Sequence, residues 1–237
     1  ELDDAVRNCD ALLALCRTNG ALTDRLSEED RKFVAQLYGW VAGLMMQGKY
    51  APKPDDPSEI GEIYNAEILR LLGCAIEVQP SYWKHHFVRA CVRERFGDMG
   101  GALRDLDAAE QCDGPFERVC YARGLLQSEL FMLTDAIREL DRACAADQEN
   151  DFRLWVVRAE VHLLLGDSKR ALGDLERATE VLRHQDDHCM KIRTAFHRAE
   201  AYRLLGRMQE FEIAHKEAKE MFRRSADRRV TILRLVM

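Results

Sequence analysis

The sequence predicts an all-α chain in which antiparallel helix pairs stack into a solenoid. The first observation is a pattern of small and large residues in 82–109 that returns three times, at successive offsets of about 34, 35 and 40 residues. The second is composition: 47% hydrophobic and 32% charged residues, with only 5 Pro and 14 Gly, are typical of a folded helical protein. Since each unit of such an array contacts only its neighbours, the whole chain, 1–237, is expected to form one continuous domain.

The first 50 residues predict two helices. Apolar residues recur along one stripe from Asp3 to Arg17 and predict an amphipathic helix, which Asn19-Gly20 closes. Ser27 has the form of an N-cap, and the three acidic residues after it suit the positive end of a helix. That second helix, over about 29–47, is apolar around much of its circumference and is expected to be buried on more than one side.

An acidic, proline-rich segment at 51–62 interrupts the helical pattern. Its prolines each fix φ and remove an amide donor, so the segment is expected to form an inserted loop. The loop is either a plain connection or an acidic strip that folds onto a positive surface as an autoinhibitor. Helical spacing resumes at 63 and predicts a helix to about residue 78, so that 1–80 holds N-terminal helices and one degenerate repeat.

Four regular repeats are predicted from 81 to 224. The expected helix pairs are 82–96 with 99–112, 116–130 with 133–146, 152–165 with 168–183, and 189–205 with 208–224. The remaining segment, 225–237, is basic and then apolar, and predicts a terminal capping helix or an oligomer contact.

A possible metal site lies in the polar loop before the last pair. His184, His188 and Cys189 could ligate zinc only if a helix begins there. Solvated histidines are the commoner case, so no metal is expected.

The residues of these repeats resemble the tetratricopeptide repeat (TPR) family over about 63–222. In that family, small residues at positions 8, 20 and 27 and a large residue at 24 let two helices approach and fill the seam between repeats. Position 8 is Ala90, Gly124, Ala159 and Ala199; position 20 is Ala102, Ala136 and Ala171; position 24 is Leu106, Leu140 and Leu175; position 27 is Ala109, Ala143, Ala178 and Ala218. Position 4, normally large, is Trp155 in one unit but His86, Cys120 and Ala195 in the others. The resemblance implies a right-handed superhelix whose first helices line a concave groove for peptides or partner helices, without catalysis.

A candidate ligand-binding surface lies on the first helices, where positions 2, 5, 9 and 12 or 13 share the face that points into the groove in this family. Position 2 is a cation and position 5 is apolar or aromatic in every regular unit. The candidate residues are Lys84, Phe87, Cys91, Arg118, Tyr121, Leu125, Arg153, Val156, Arg193 and Phe196. Such a surface suits an acidic or phosphorylated segment, or a C-terminal carboxylate. Alternatively these cations pair with acidic residues of neighbouring units, and Glu160 and Glu200 weaken the positive character toward the C-terminal units.

A second set of arginines recurs at position 7, beside the helix pair. Its members are Arg89, Arg123, Arg158 and Arg198. Their place predicts a structural role, in which the aliphatic stems pack and the guanidinium groups pair with Asp105, Glu139 or Asp174.

Among function classes, the sequence favours a protein-interaction scaffold or adaptor. The net charge of −6 counts against nucleic-acid binding, which normally needs a basic face. Nucleic-acid binding remains the second class of function, because cations beside aromatic residues can contact phosphates and stack on bases. A regulatory domain of a larger enzyme is the third. The sequence has no Gly-rich phosphate loop, zinc-protease histidine pair or nucleophile elbow, so catalysis, cofactors and metals are not expected.

Cysteine use and hydropathy predict a cytoplasmic protein. The 8 Cys are scattered without CxxC pairs, as expected for small core residues in a reducing compartment. No apolar run approaches the roughly 18 residues that a membrane span needs, and no signal peptide is visible. The chain begins with Glu1 and ends within an apolar run from Val230 to Met237, which favours its being part of a longer protein.

Overall fold

A computed structural model describes residues 27–46, 57–147 and 151–236, together with Arg7 and Ala11. Within these residues the chain forms ten long helices and no strand, which confirms the predicted all-α class. The helices are α1 Glu28–Met46, α2 Pro57–Val78, α3 Trp83–Arg95, α4 Met99–Gln111, α5 Phe116–Glu129, α6 Leu133–Ala146, α7 Phe152–Leu164, α8 Ser168–Leu182, α9 His188–Leu204 and α10 Met208–Val236. The helix predicted from Asp3 to Arg17 lies outside the described residues.

The ends of the helices follow turn residues at repeating positions. The first helix of three pairs ends at a glycine with positive φ: Gly97 at 79°, Gly166 at 79° and Gly206 at 72°. Glycine adopts this left-handed conformation without a Cβ clash, which lets the chain reverse directly after the helix. Asp98 and Asp167 then cap α4 and α8, each accepting a backbone N–H from the next turn. The Gly-Asp dipeptide therefore both ends one helix and begins the next.

The turn between α5 and α6 has no glycine at the equivalent place. Phe131 occupies it with a φ of 57°, and its side chain is 78% exposed. A non-glycine residue in this region costs roughly 1–2 kcal/mol, because its Cβ approaches the following carbonyl oxygen. The helix pair therefore imposes the geometry of the turn, whichever residue fills it.

Helix α2 begins earlier than the sequence predicts, at Pro57 rather than at about residue 63. Proline is favoured at the first position of a helix, because its missing N–H would have no partner there and its φ is already helical. The expectation of a loop throughout 51–62 is therefore wrong for 57–62, while 51–56 lie outside the described residues.

Helix α10 runs without a break from Met208 to Val236. The segment 225–236 thus continues the second helix of the last pair instead of forming a separate cap. Neither Gly nor Pro occurs between 208 and 236, so no residue in this stretch interrupts the helix.

The chain forms two compact units, Glu1–Val119 and Cys120–Met237. In the first, the core lies mainly between α1 and α2, where Tyr38, Leu71 and Leu72 are at most 1% exposed. In both units the small residues of the repeat are buried, each at most 2% exposed: Ala90, Ala102, Ala109, Ala136, Ala143, Ala159, Ala171, Ala178, Ala199 and Ala218. Small side chains at these places allow the close approach of paired helices that the sequence predicts.

The predicted ion pairs of the position-7 arginines are confirmed in three repeats. The pairs are Arg89 with Asp105 at 2.7 Å, Arg123 with Glu139 at 3.1 Å, and Arg158 with Asp174 at 2.6 Å. Each joins the first helix to the second helix of the same pair, and the three carboxylates are at most 7% exposed. In the last repeat Arg198 pairs with Glu217 instead, at 2.8 Å, since Ala214 stands where the other repeats carry the acid.

His85 on α3 is buried against α1. It is 4% exposed, its ring meets Tyr82 edge to face at 4.8 Å between centroids, and a Cβ on Gly39 of α1 would lie 2.9 Å from its Nε2. Burial, with a smaller contribution from the neighbouring His86, lowers the pKa of His85 to about 4. The ring is therefore neutral in the folded protein at neutral pH.

We expect the free energy of unfolding to fall by up to about 3 kcal/mol as the pH is lowered from 6.5 to about 4. In this window the unfolded chain binds a proton at His85 and the folded chain does not, so acid favours unfolding. Urea denaturation at a series of pH values measures the slope. His85→Gln, which cannot titrate, should flatten it; an unchanged slope in this variant would assign the pH dependence to other groups.

Candidate functional site

The predicted ligand-facing side chains lie on α3, α5, α7 and α9, the first helices of the four regular pairs. Exposed among them are Lys84, Arg118, Arg153, Arg193 and Phe196. Half-buried are Phe87, Cys91, Tyr121 and Leu125. These nine side chains all reach the surface.

Val156 differs from the rest of the predicted set. It is 0% exposed and packs in one cluster with Trp155 and with Ala178 of α8. Helix α7 is buried around most of its circumference, so a side chain on the predicted face can still lie inside. Val156 offers no surface to a ligand, and its place in the predicted set is wrong.

In the second unit, α5, α7 and α9 bring charged groups to one surface around Tyr121. Burial raises the pKa of the Tyr121 phenol, the positive charges of Arg153 and Arg193 act to lower it, and the negative charges of Asp151 and Glu160 act to raise it. A phenol that responds to all four charges lies within electrostatic range of them. Tyr121 of α5, Arg153 of α7 and Arg193 of α9 therefore lie near one another in this unit.

Two of the four candidate cations have internal partners. Arg153 pairs at 2.6 Å with Asp151, the N-cap of its own helix. Arg193 donates two hydrogen bonds to Glu160 of α7, at 2.6 and 2.7 Å, and Nε2 of His197 lies 2.8 Å from the same carboxylate. The alternative of pairing with an acidic residue of a neighbouring unit is therefore observed at Arg193, whereas Arg153 pairs within its own unit.

In the ion pair between Arg193 and Glu160, the acidic side chain is more buried than the basic one. The side chain of Glu160 is 19% exposed and that of Arg193 is 49% exposed. Although burial acts to raise the pKa of the Glu160 carboxyl, the hydrogen bonds from His197 and Arg193 bring it below its ordinary value. Glu160 is therefore ionised at neutral pH, and its negative charge compensates the positive charge of Arg193.

Lys84 on α3 and Arg118 on α5 have no carboxylate partner among the described residues. The Nζ of Lys84 lies 6.0 Å from the ring centroid of Tyr82 and 5.8 Å from that of Trp83, at the outer limit of a cation–π contact. Both positive charges are exposed and available to an anionic group.

The described residues contain no cluster of three or more side chains that could hold a metal ion. His188 begins α9 with its Nε2 at 3.6 Å from Asp186, while His184 lies in the preceding loop. The cysteines of the described part are free thiols: Cys74, Cys91, Cys112, Cys120, Cys144 and Cys189. Burial raises the pKa of both Cys91 and Cys144 to about 11, so these two thiols are protonated and weakly nucleophilic at neutral pH.

No helix in the described ranges combines the length and the hydropathy that a membrane span requires.

The sequence did not lead us to predict the exposed apolar residues at the turns between paired helices. In the second unit they are Leu130, Phe131, Met132, Leu164, Leu165, Leu204, Leu205 and Met208, each at least 38% exposed. The pairs Leu164-Leu165 and Leu204-Leu205 directly precede the turn glycines Gly166 and Gly206. The leucine pair that recurs directly before the turn glycine is the sequence signal that could have predicted them.

No family model matches the sequence, and a comparison with curated proteins finds no match. Solved structures do match. A crystal structure of MamA protein has 16% identity and a TM-score of 0.63, over 81% of this chain and 94% of that chain. Residues 41 to the end of MamA from Desulfovibrio magneticus RS-1 have 14% identity and a TM-score of 0.62, over 80% and 95% of the two chains. YrrB, described as a TPR protein with an unusual peptide-binding site, has 18% identity and a TM-score of 0.53, over 81% and 85%. At such identities the likeness establishes a common fold.

Proposed function

Since the chain has the fold of tetratricopeptide-repeat proteins, we propose that it is an interaction scaffold that binds a partner segment on the surface of its first helices. The observation that carries the proposal is that Lys84 and Arg118 are exposed and have no carboxylate partner in the part of the chain that the structure describes. The half-buried aromatic residues Phe87 and Tyr121 lie one turn further along the same helices. A cation beside an apolar floor gives a ligand both a charge contact and an anchor.

The bound segment is acidic or phosphorylated and carries an apolar side chain. Guanidinium groups bind carboxylates and phosphates through two parallel hydrogen bonds, which gives orientation as well as energy. Glu160 neutralises Arg193, so we infer that Lys84 and Arg118 are the main cations for the segment, and that Arg153 offers a further cation in the second unit. The exposed Arg153–Asp151 pair contributes only about 0–1 kcal/mol, so a ligand carboxylate can replace Asp151 at little cost. The peptide-binding site of YrrB supports the capacity of this fold to hold a peptide.

A triple charge reversal tests this proposal. Lys84→Glu/Arg118→Glu/Arg153→Glu is expected to weaken binding of the partner segment by roughly a hundredfold or more, because each charged hydrogen bond contributes about 1.5–3 kcal/mol. Partners captured from native extract by the parent chain are identified, and the affinity of the bound segment is measured with and without its phosphates.

The matched control is Arg104→Glu/Lys169→Glu/Lys216→Glu, which makes the same change in net charge at exposed positions on the second helices α4, α8 and α10. It should retain the partners. Equal loss of partner binding in both triple variants would mean that net charge alone controls binding. Retention of the partners in both variants would mean that they bind at another surface. Circular dichroism establishes that each variant remains helical.

A further inference from the structure

A pocket of about 300 Å³ lies among α8, α9 and α10 in the second unit. None of the candidate partner-binding residues lines it. Its apolar wall includes Leu182, which is 1% exposed, Ala195, which is 5% exposed, and the half-exposed Met221.

Position 4 of the last repeat, which forms part of the pocket wall, is alanine instead of the tryptophan of the preceding repeat. Thr179, Ala195 and Met221 line the pocket, and they stand one repeat after Cys144, Trp155 and Val181. Those three earlier residues belong to one packed cluster, in which the indole of Trp155 is only 8% exposed. The preceding repeat has a pocket of about 490 Å³ at the equivalent place, with the indole of Trp155 in its wall. In the last repeat Ala195 leaves the volume of that indole empty, so an aromatic ring can enter there.

Two residues of the pocket each have a buried polar atom with no hydrogen-bond partner among the described residues. The two atoms are Oγ1 of Thr194, a residue that is 2% exposed, and Nε of Arg198. Both residues line the pocket and lie one turn apart on the same face of α9. A buried N–H or O–H without an acceptor is unfavourable, and the pair is therefore suited to an oxygen acceptor from outside the chain.

The rim of the pocket carries an excess of positive charge. Arg183 pairs with Glu180 at 2.6 Å and Arg198 pairs with Glu217 at 2.8 Å. Lys191 also lines the pocket, one turn before Thr194 on the same face of α9, and has no carboxylate partner among the described residues. One positive charge is thus left to attract an anion.

We propose that this pocket binds an organic anion, a carboxylate attached to an aromatic body of the size of a large side chain. The aromatic body fills the space beside Ala195 and Leu182, as Trp155 does one repeat earlier. The carboxylate accepts hydrogen bonds from Oγ1 of Thr194 and Nε of Arg198, and Lys191 supplies the compensating charge. A free aromatic acid and the C-terminal aromatic residue of a peptide both present this chemistry.

The test uses indole-3-propionate as the probe and tryptamine, which carries the same ring with a positive charge, as its control. In nitrogen-15 NMR titrations, indole-3-propionate is expected to shift the amide resonances around Thr194 and Ala195 saturably, and tryptamine is not. Lys191→Ala should weaken binding about tenfold. Lys169→Ala removes an exposed lysine of α8 that does not line the pocket, and should leave the affinity unchanged.

Ala195→Trp copies Trp155 and should abolish binding while the chain stays helical. If this variant does not fold, Thr194→Val keeps the shape, removes the hydroxyl, and is expected to weaken binding severalfold. Four outcomes overturn the proposal: no saturable shift at concentrations on the order of 10 mM, equal binding of tryptamine, equal losses at Lys191 and Lys169, or unchanged binding in the folded pocket variants.

A short peptide that ends in tryptophan, with a free or an amidated C-terminus, separates the two sources of the ligand. Tighter binding of the free-carboxylate peptide than of indole-3-propionate assigns the pocket to a peptide terminus. Weaker binding assigns it to a small aromatic acid. Both results support the site.

Discussion

Asp105→Ala is expected to lower the free energy of unfolding by about 3–5 kcal/mol. Asp105 is 3% exposed and accepts hydrogen bonds from Arg89 at 2.7 and 2.8 Å and from Arg93 at 2.9 Å. The two arginine side chains are themselves only 19% and 24% exposed. Removing the carboxylate leaves Arg89 without a counter-ion among the described residues and Arg93 with only Asp98, at 3.5 Å, and this loss of compensating charge is the main cost.

Urea denaturation followed by circular dichroism measures this loss. Glu67→Ala is the matched control, because Glu67 holds Arg70 in the same two-bonded geometry at 2.6 and 2.8 Å, but with side chains 37% and 40% exposed. An exposed pair of this kind contributes about 0–1 kcal/mol. Similar losses in the two variants would show that burial is not what makes the Asp105 network important. Asp105→Asn, which keeps the shape and part of the hydrogen bonding, should lie between them.

Gly124→Val is expected to lower the free energy of unfolding by about 3 kcal/mol or more. A Cβ at Gly124 would lie 2.7 Å from Cγ of Leu140 and 3.2 Å from the carbonyl oxygen of Ala136, both on α6. Leu140 is 0% exposed, so its side chain has no free space into which it can move. Helices α5 and α6 would have to separate, and the contacts between them would be lost.

The control for Gly124 is a glycine in a helix with open space around it. A Cβ at Gly173 of α8 would meet nothing within 4 Å, and the residue is exposed. Gly173→Ala should therefore raise the free energy of unfolding by about 0.5–1 kcal/mol, because alanine loses less conformational entropy than glycine in a helix. A gain in stability in both variants would mean that the close approach of α5 and α6 is not a packing constraint.

The helix pairs could be predicted from the sequence because their signals are local. Gly97-Asp98 and Gly166-Asp167 mark turns by conformations that the residues themselves favour, and the observed ends of α3 to α9 lie within one residue of the predicted ones. The ion pairs of the position-7 arginines were predictable for a similar reason. The spacing of 16 residues between Arg89 and Asp105 is repeated by Arg158 and Asp174.

The remaining features depend on contacts between helices that spacing alone does not determine. The helical periodicity places Val156 at the position in its repeat that the other predicted ligand-binding residues occupy in theirs, but the burial of its side chain depends on the helices that flank α7. The positive φ of Phe131 is imposed by the helix pair on a residue that does not favour it. The unpartnered hydroxyl of Thr194 is visible only once three helices surround it, although Ala195 at position 4 already indicates missing volume.

The buried ion pairs of the repeats also determine how the chain gains and loses its structure. Arg89 with Asp105, Arg123 with Glu139 and Arg158 with Asp174 each join residues only 16 positions apart. Contacts of such short sequence separation close small loops at low entropic cost, so a helix pair can form before distant segments meet, and folding is fast. Opening is correspondingly local, because one helix pair can lose its own contacts while the others keep theirs. A chain built in this way can loosen one pair while the rest of its helices stay folded.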